Sequence, residues 1–236
     1  MTVLAAELDA RVLALHARLA EITAGHERVV FSTSFGAEDM VLLDVVARHF
    51  RSIALVTLDT GRLPVETYAV WRESEQRYAR KIAGFVPAAP ALEAYVRING
   101  VNAFYDSVTQ RKQCCEIRKV EPLSRALAGH GAWITGQRRA QSAARAHLAF
   151  SEFDAQFQIA KFNPLADWSE NDVWAYIAGR DVPYNALHDK GYPSIGCAPC
   201  TRAIQPGEDL RAGRWWWESG TSKECGLHAR REAVSA

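Results

Sequence analysis

Five cysteines are the residues whose types and spacing first suggest chemistry. Cys114 and Cys115 are adjacent, Cys197 and Cys200 form a CxxC pair, and Cys225 stands near the C-terminus. A CxxC spacing lets two sulfurs bind one metal centre. Neighbouring side chains diverge, so Cys114 and Cys115 suit a cubane cluster, which offers separate iron atoms to separate sulfurs, better than one small ion. The pattern therefore predicts a [4Fe–4S] centre on the first four cysteines.

Other interpretations of these four cysteines stay open at this point. The same thiolates could hold zinc, or the side chains could simply be buried as small hydrophobic groups. We expect a cytoplasmic protein, in which structural disulfides are not expected. A thioredoxin-like redox pair at Cys197 and Cys200 is disfavoured, because no predicted strand precedes it.

Cys225 has the surroundings of a reactive thiol. Lys223, His228, Arg230 and Arg231 flank it in the sequence. Cations lower the pKa of a thiol and stabilise the nucleophilic thiolate. Glycines on both sides of Cys225 would let the thiol meet two reaction partners in turn. The alternative is an incidental cysteine in a tail.

Charge is informative only where it clusters. Lys plus Arg number 28 and Asp plus Glu number 27, for a formal charge of +1, which gives no reason to expect a nucleic acid or a membrane surface as partner. Basic residues gather at 111–119, 138–145 and 202–231. These three clusters would form one anion site if the fold brought them together.

The elements that must position these residues alternate between strand and helix. Strand patterns cover residues 28–32, 53–59, 81–86 and 132–135, and another strand ends near Lys161. Helical patterns cover the first 25 residues, a stretch that begins near Met40, and residues 65–80, 91–98 and 116–128, with Pro122 expected to kink or split the last. A further helix should be capped by Ser169, with Asp172 three residues on. This alternation predicts an α/β fold with a mostly parallel sheet and helices on both faces.

We expect one domain over residues 1–236, divided into an N-terminal helix (1–25), an α/β core (26–179) and a loop-rich C-terminal segment (180–236). The chain is 48% hydrophobic and 23% charged, and no stretch is long and apolar enough to span a membrane. The first residues carry acidic side chains and helical spacing, which is not typical of a signal peptide.

Two predicted loops follow strands at the positions where α/β sheets bind ligands, residues 32–39 (STSFGAED) and 58–62 (LDTGR). The chain lacks both GxxxxGK[ST] and GxGxxG, so neither a Walker-type nor a dinucleotide site is indicated. The remaining interpretation of these two loops is an anion-binding site lined by serine and threonine side chains.

Several motifs together identify a family resemblance. SFGAED, LDTGR, CCEIRKVEPL, GQRRAQS, the CxxC pair and ECGLH occur in this order, from about residue 28 to residue 231. The chain resembles the assimilatory sulfonucleotide reductases, specifically the iron–sulfur adenylylsulfate (APS) reductases. The resemblance implies a Rossmann-like sheet of the PP-loop, adenine nucleotide alpha hydrolase-like type. The first loop departs from the SGGxDS pattern of PP-loop pyrophosphatases, so hydrolysis of ATP is not expected.

The activity implied by the resemblance is thioredoxin-dependent reduction of APS to sulfite and AMP in sulfate assimilation and cysteine biosynthesis. Cys114, Cys115, Cys197 and Cys200 would hold one [4Fe–4S] cluster, and Cys225 would form an S-sulfocysteine intermediate. Relatives that prefer the 3′-phosphorylated substrate PAPS usually lack these cluster cysteines. The alternatives are a PAPS or dual-substrate reductase that retains the cluster, and a zinc-stabilised adenylate-binding module without redox activity.

The resemblance also implies substrate-binding residues, while a homo-oligomer stays open. The residues expected around the nucleotide are Ser32, Ser34, Gly36, Asp39, Asp59, Gly61 and Arg62. The residues expected near the phosphosulfate are Lys119, Arg211, Arg214 and His228, with Arg138 and Arg139 in the basic loop.

Overall fold

A six-stranded sheet forms the centre of the molecule. The computed structural model describes residues 3–218 and Leu227. The strands are β1 (Val29–Thr33), β2 (Ala54–Leu58), β3 (Ala83–Phe85), β4 (Ala132–Ile134), β5 (Ser151–Asp154) and β6 (Ile159–Phe162). Their order in the sheet is β3-β2-β1-β4-β6-β5, and every neighbouring pair is parallel except β5 with β6. The predicted mostly parallel α/β fold is confirmed.

Helices cover both faces of this sheet. They are α1 (Val3–Gly25), α2 (Ala37–His49), α3 (Val65–Tyr78), α4 (Ala89–Asn99), α5 (Val108–Cys115), α6 (Glu121–Leu127) and α7 (Glu170–Gly179). Successive strand side chains point to opposite faces. Phe31 of β1 therefore packs in the core with α1, α2, α3 and α7, whereas Val30 and Trp133 pack with Leu123 and Leu127 of α6.

The sequence predicted four of the six strands to within about two residues at each end, and for β6 it predicted only the end, near Lys161. It also predicted the start of α7, where the Ser169 hydroxyl accepts a hydrogen bond from the Asp172 amide and the Asp172 carboxylate accepts one from the Ser169 amide. The prediction missed β5. This edge strand alternates between exposed and half-exposed residues and pairs only with β6, so it carries no run of apolar residues.

The helical segment that carries the paired cysteines begins earlier than predicted. It starts at Val108, where the hydroxyl of Ser107 caps α5 by accepting a hydrogen bond from the Gln110 amide. The polar sequence of α5 hides this start from an apolar periodicity search. A π-helical turn, Glu116–Val120, joins α5 to α6, and Pro122 lies in the first turn of α6, where its missing N–H is tolerated. The departure from α geometry therefore occurs before the proline, directly after Cys115.

Beyond α7, residues 180–218 form loops with two short 3₁₀ turns, His188–Lys190 and Ala198–Cys200, as the sequence predicted for this part of the chain. An isolated bridge between Thr201 and Arg214 closes the second of these loops. Among the residues that the structure describes, no helix is long and apolar enough to cross a membrane.

Candidate functional site

A cavity of about 260 Å³ opens at the carboxyl ends of β1, β2 and β4. Eight of the residues predicted to bind substrate line it: Ser32, Ser34, Gly36, Asp39, Lys119, Arg138, Arg211 and Arg214. Each of the three basic clusters in the sequence contributes at least one of these cations. The structure therefore brings the three clusters together, as the anion-site hypothesis requires.

The loop after β1 places the start of a helix at the cavity wall. Gly36 precedes α2 with no side-chain cap, so the first N–H groups of this helix are left for a ligand at the cavity wall. Phe35 holds the loop in a left-handed turn with φ of 59°, and its amide donates to the Thr33 hydroxyl at 3.0 Å. Because Ser34 follows directly on β1, the turn keeps its hydroxyl beside the helix start.

Asp39 ties two strand-end loops together beneath this cavity. One carboxylate oxygen accepts hydrogen bonds from the amide and the hydroxyl of Ser34, both at 2.6 Å, and the Gly136 amide after β4 donates to the same carboxyl group. A side chain at Gly136 would overlap this carboxylate, which explains the glycine. Burial raises the pKa of Asp39 to about 6, against the opposing effect of the hydrogen bonds.

Arg138 and Arg214 differ in how their charge is used. The buried guanidinium of Arg138 donates to Glu38 at 2.6 and 2.9 Å and to the Trp168 carbonyl, so its charge is balanced within the protein. Arg214 donates to the Ser194 hydroxyl and to the Ile195 carbonyl, both at 3.3 Å. Since neither of these acceptors is charged, the positive charge of Arg214 stays available to an anion at the cavity wall.

Four residues that the resemblance assigned to substrate do not line the cavity. The Asp59 carboxylate accepts hydrogen bonds from the Gly61 amide and the Tyr68 hydroxyl, so it stabilises its own turn. Gly61 has a φ of 68°, and it makes that turn possible. The side chains of Arg62 and Arg139 also make their hydrogen bonds away from the cavity wall.

The side chain of Arg62 points towards the cysteines instead. Its guanidinium donates to the Asn102 side chain and the Val101 carbonyl and lies 5.2 Å from the centre of the Phe104 ring. Arg139 donates to the Leu148 carbonyl at 2.8 Å. The geometry gives these two residues structural contacts rather than a place on the cavity wall. Cys225 and His228 lie outside the described residues.

The four remaining cysteines form one buried group, called here the cysteine cluster. Its members are the thiols of Cys114, Cys115, Cys197 and Cys200 together with Tyr95, Ala103, Phe104 and Trp215. Burial raises the pKa of the Cys114 thiol, and it raises that of the Cys200 thiol to about 12. Thiolates in this place need a positive partner, because their charge is removed from water.

Cations already surround the cysteine cluster. Arg118 and Arg62 oppose the rise in the pKa of Cys114, and Lys119 and Arg214 oppose the rise in that of Cys200. In the described part of the chain, no group of three or more His, Cys, Asp and Glu side chains is arranged to hold a single metal ion. Four buried thiols with nearby cations nevertheless match the donor set of a cluster that takes one sulfur at each of four irons.

Thr60 joins the cysteine cluster to the cavity. Its hydroxyl lies 3.2 Å from the sulfur of Cys197, and its carbonyl accepts a hydrogen bond from Arg118 at 2.6 Å. Both Thr60 and Cys197 also line the cavity. Sequence reasoning did not single out Thr60 or Arg118, although both fall inside quoted motifs, LDTGR and CCEIRK. It also missed Gln137 on the cavity wall, inside GQRRAQS.

Leu227 is the described residue nearest to Cys225 in the sequence. Its side chain lines the cavity and packs against both the cysteine cluster and the core beneath α6. Leu227 is two residues from Cys225, and two residues of extended chain span at most about 7 Å. The structure therefore places a residue two positions from Cys225 in the sequence at the wall shared by the cavity and the cysteine cluster.

The mostly parallel sheet with helices on both faces has the Rossmann-like, adenine nucleotide alpha hydrolase-like fold. Yeast FAD synthetase has a similar fold, with a TM-score of 0.56 and 16% identity over 86% of this chain and 69% of that one. Residues 28–203 match the model of the phosphoadenosine phosphosulfate reductase domain family. The chain belongs to this family, and the predicted resemblance is confirmed at that level.

Several relatives are similar over almost their whole length. The adenosine 5′-phosphosulfate reductase of Burkholderia cepacia is 56% identical over 96% of this chain and 91% of its own. That of Allochromatium vinosum is 54% identical over 90% of this chain and 83% of its own. A crystal structure of a phosphoadenylyl-sulfate (PAPS) reductase from Candida auris has a TM-score of 0.69 and 27% identity, over 80% of this chain and 90% of that chain.

Proposed function

We propose that this chain reduces adenosine 5′-phosphosulfate to sulfite and AMP in sulfate assimilation. The observation that carries the proposal is the joining of three separate basic clusters at one cavity, beside a serine-lined helix start. An adenylated sulfate carries negative charge on adjacent phosphate and sulfonate groups, and this wall offers cations and N–H groups to both. The high identity to two reductases that carry this name supports the same substrate.

The first step is transfer of the sulfonate to Cys225. Its thiolate forms a bond to the sulfonate sulfur, the bond from that sulfur to the bridging phosphate oxygen breaks, and AMP leaves with the electron pair. Lys119, Arg211 and Arg214 stabilise the charge that develops on the departing phosphate, because they lie on the cavity wall. Leu227, two residues from Cys225 in the sequence, packs against two hydrophobic clusters and lines this wall.

The second step releases sulfite from the S-sulfocysteine. One thiolate of thioredoxin attacks the Cys225 sulfur, and sulfite leaves with the electron pair of the S–S bond. The second thiol of thioredoxin then attacks the mixed disulfide, which frees the Cys225 thiolate and leaves thioredoxin oxidised. The two electrons that reduce the sulfonate therefore come from a dithiol.

Cys114, Cys115, Cys197 and Cys200 would hold a [4Fe–4S] cluster. When bound, the cluster would connect the end of α5 to the CxxC turn through iron–thiolate bonds and would add negative charge beside the cations. Arg118 hydrogen-bonds to the Cys114 sulfur, and the Thr60 hydroxyl contacts the Cys197 sulfur, so this chain already provides polar partners for thiolates. Lys119 interacts with Cys200 and lines the cavity, which places one cation between the two sites.

The covalent intermediate is the most direct test of the proposed activity. Wild-type protein mixed with APS without reductant should gain the mass of one sulfonate group, whereas Cys225→Ser should bind APS and gain none, because the hydroxyl is a much weaker nucleophile. Intact-mass spectrometry measures this gain. An adduct on the Cys225→Ser protein would overturn the assignment of Cys225.

The same preparations separate the alternatives. Steady-state kinetics with APS and PAPS side by side identify the preferred substrate. Iron and sulfide analysis of anaerobically purified protein distinguishes an iron–sulfur enzyme from a zinc-stabilised module, for which iron would be absent.

A further inference from the structure

Three aromatic rings, two exposed and the middle one half-buried, form a row beside the cysteine cluster, called here the aromatic platform. Tyr105 lies 4.5 Å from Trp217, and Trp217 lies 5.7 Å from Trp216, measured between ring centres. Tyr105 is 40% exposed and Trp216 is 49% exposed, whereas the preceding Trp215 is 1% exposed. Of the three consecutive tryptophans at 215–217, the first therefore lies in the interior and the second on the surface.

Buried contacts hold the platform in place from below. Trp215 lies between the guanidinium groups of Arg111 and Arg214, at 4.5 and 4.8 Å from its ring. Arg111 forms a buried ion pair with Glu218, with hydrogen bonds of 2.5 and 3.1 Å. The Tyr105 hydroxyl donates to the Pro199 carbonyl at 2.9 Å, inside the CxxC turn. A partner therefore meets rings that are already ordered, which lowers the entropy cost of binding.

The platform and the described residue nearest to Cys225 in the sequence pack against the same group of side chains. Trp217 and Leu227 pack against the same cysteine cluster, and Leu227 is two residues from Cys225. From the other direction, Glu218 precedes Cys225 by seven residues. A protein that places its own thiol on the Cys225 sulfur covers about 800 Å² around it, a disc of roughly 16 Å radius. A footprint of this size is larger than the aromatic platform, whose neighbouring ring centres are 4.5 and 5.7 Å apart.

We propose that the aromatic platform is the docking surface for the dithiol protein that releases sulfite from Cys225. This inference rests on the proposed function and adds the surface at which its second step occurs. Exposed tryptophan and tyrosine rings are typical of the residues that contribute most to protein–protein binding. Val101 and Val108, within four residues of Tyr105 in the chain, are 56% and 45% exposed and extend the apolar character of this region.

The test separates docking from chemistry with the substitution Trp216→Ala in the full-length holoenzyme. The KM for thioredoxin should rise by about tenfold, because a central aromatic contact is lost. The rate with a small dithiol, dithiothreitol, should stay unchanged, since a small molecule needs no platform. The amount and rate of S-sulfocysteine formation with APS alone should also stay unchanged.

Phe153→Ala is the matched control. Phe153 is an aromatic side chain that is 64% exposed on β5, at the far edge of the sheet from β2 and β3. Its removal should leave the KM for thioredoxin as it is in the wild type. An equal rise in both variants would overturn the proposal, because it would reflect general loss of surface apolarity.

Other occupants of the platform give different results. Slower S-sulfocysteine formation in Trp216→Ala would assign the platform to the first step, and a changed oligomeric state on gel filtration with unchanged KM would assign it to a second copy of the chain. Either result overturns docking of the reductant. If wild-type protein forms no adduct with APS, the proposed function itself fails; if the adduct forms and the KM for thioredoxin is unchanged in Trp216→Ala, only the docking surface fails.

Discussion

The cavity and the cysteine cluster share one wall but are built in opposite ways. The cavity is lined by hydroxyls, helix N–H groups and cations at the ends of β1, β2 and β4. The cysteine cluster is apolar, and its thiols come from two segments that are about 80 residues apart in the chain. Parallel sheets of this kind provide an anion site at their carboxyl edge in any case. The cysteine cluster is an addition, and it attaches the loop-rich C-terminal segment to the end of α5.

The two regions also differ in how the charge of a buried arginine is balanced. At the cavity, the acceptors that Arg214 contacts in the described part of the chain, the Ser194 hydroxyl and the Ile195 carbonyl, are neutral. Beside the cysteine cluster, Arg111 forms an ion pair with the Glu218 carboxylate and lies over the Trp215 ring. Both arginines are buried, so the difference is that an ion pair balances the charge of Arg111, whereas those neutral acceptors do not balance the charge of Arg214.

Removal of a cluster thiol should give the largest effect and would test whether the two regions depend on each other. We expect Cys197→Ala to lose nearly all bound iron and to lower turnover at least about 100-fold, because the proposed cluster would lose one of its four thiolate ligands and the contact of that sulfur with the Thr60 hydroxyl. Iron analysis and steady-state assays measure the two effects. Cys225→Ser is the matched control and should keep its iron. Full activity in iron-free protein would mean that the cavity does not depend on the cysteine cluster.

Breaking the buried ion pair should give the next largest effect. Glu218→Ala leaves the Arg111 charge buried without its partner, so we expect the free energy of unfolding to fall by about 3 kcal/mol. Glu121→Ala removes the partner of Arg125 from a pair that is 44% and 42% exposed, and it should cost less than about 1 kcal/mol. Urea denaturation of both variants checks this. Equal losses would mean that burial does not distinguish the two ion pairs.

The smallest effect concerns Asp39 and the pH dependence of stability. Its pKa is raised to about 6 in the folded protein from 3.8, so its protonation stabilises the fold at low pH and this contribution is lost as the pH rises through about 6. Relative to Asp39→Asn, the wild type should lose about 1 kcal/mol between about pH 5 and about pH 7.5. Urea denaturation at the two pH values measures the difference. A difference that does not change with pH would contradict the effect of burial on this carboxyl group.

Most of the fold could be predicted because its elements follow local rules. The apolar runs of β1 and β2 and the capping box at Ser169 are patterns of a few neighbouring residues. β5 and the start of α5 escaped prediction because their sequences are polar and their pairing partners lie elsewhere in the chain. The residue types and spacing of the four cysteines likewise predicted their grouping.

What local patterns could not decide is the direction of each charged side chain. Arg62 and Arg138 both stand in strand-end loops that read as binding motifs, yet Arg62 turns to Phe104 and Arg138 is neutralised by Glu38, 100 residues away in the chain. The pairing of Arg111 with Glu218, and the contact of Thr60 with Cys197, likewise join segments separated by more than 100 residues. Short-range periodicity specifies which backbone forms. Only the packed chain decides which cations meet a partner inside the protein and which remain at the cavity wall, because burial and long-range contacts set the cost of each charge.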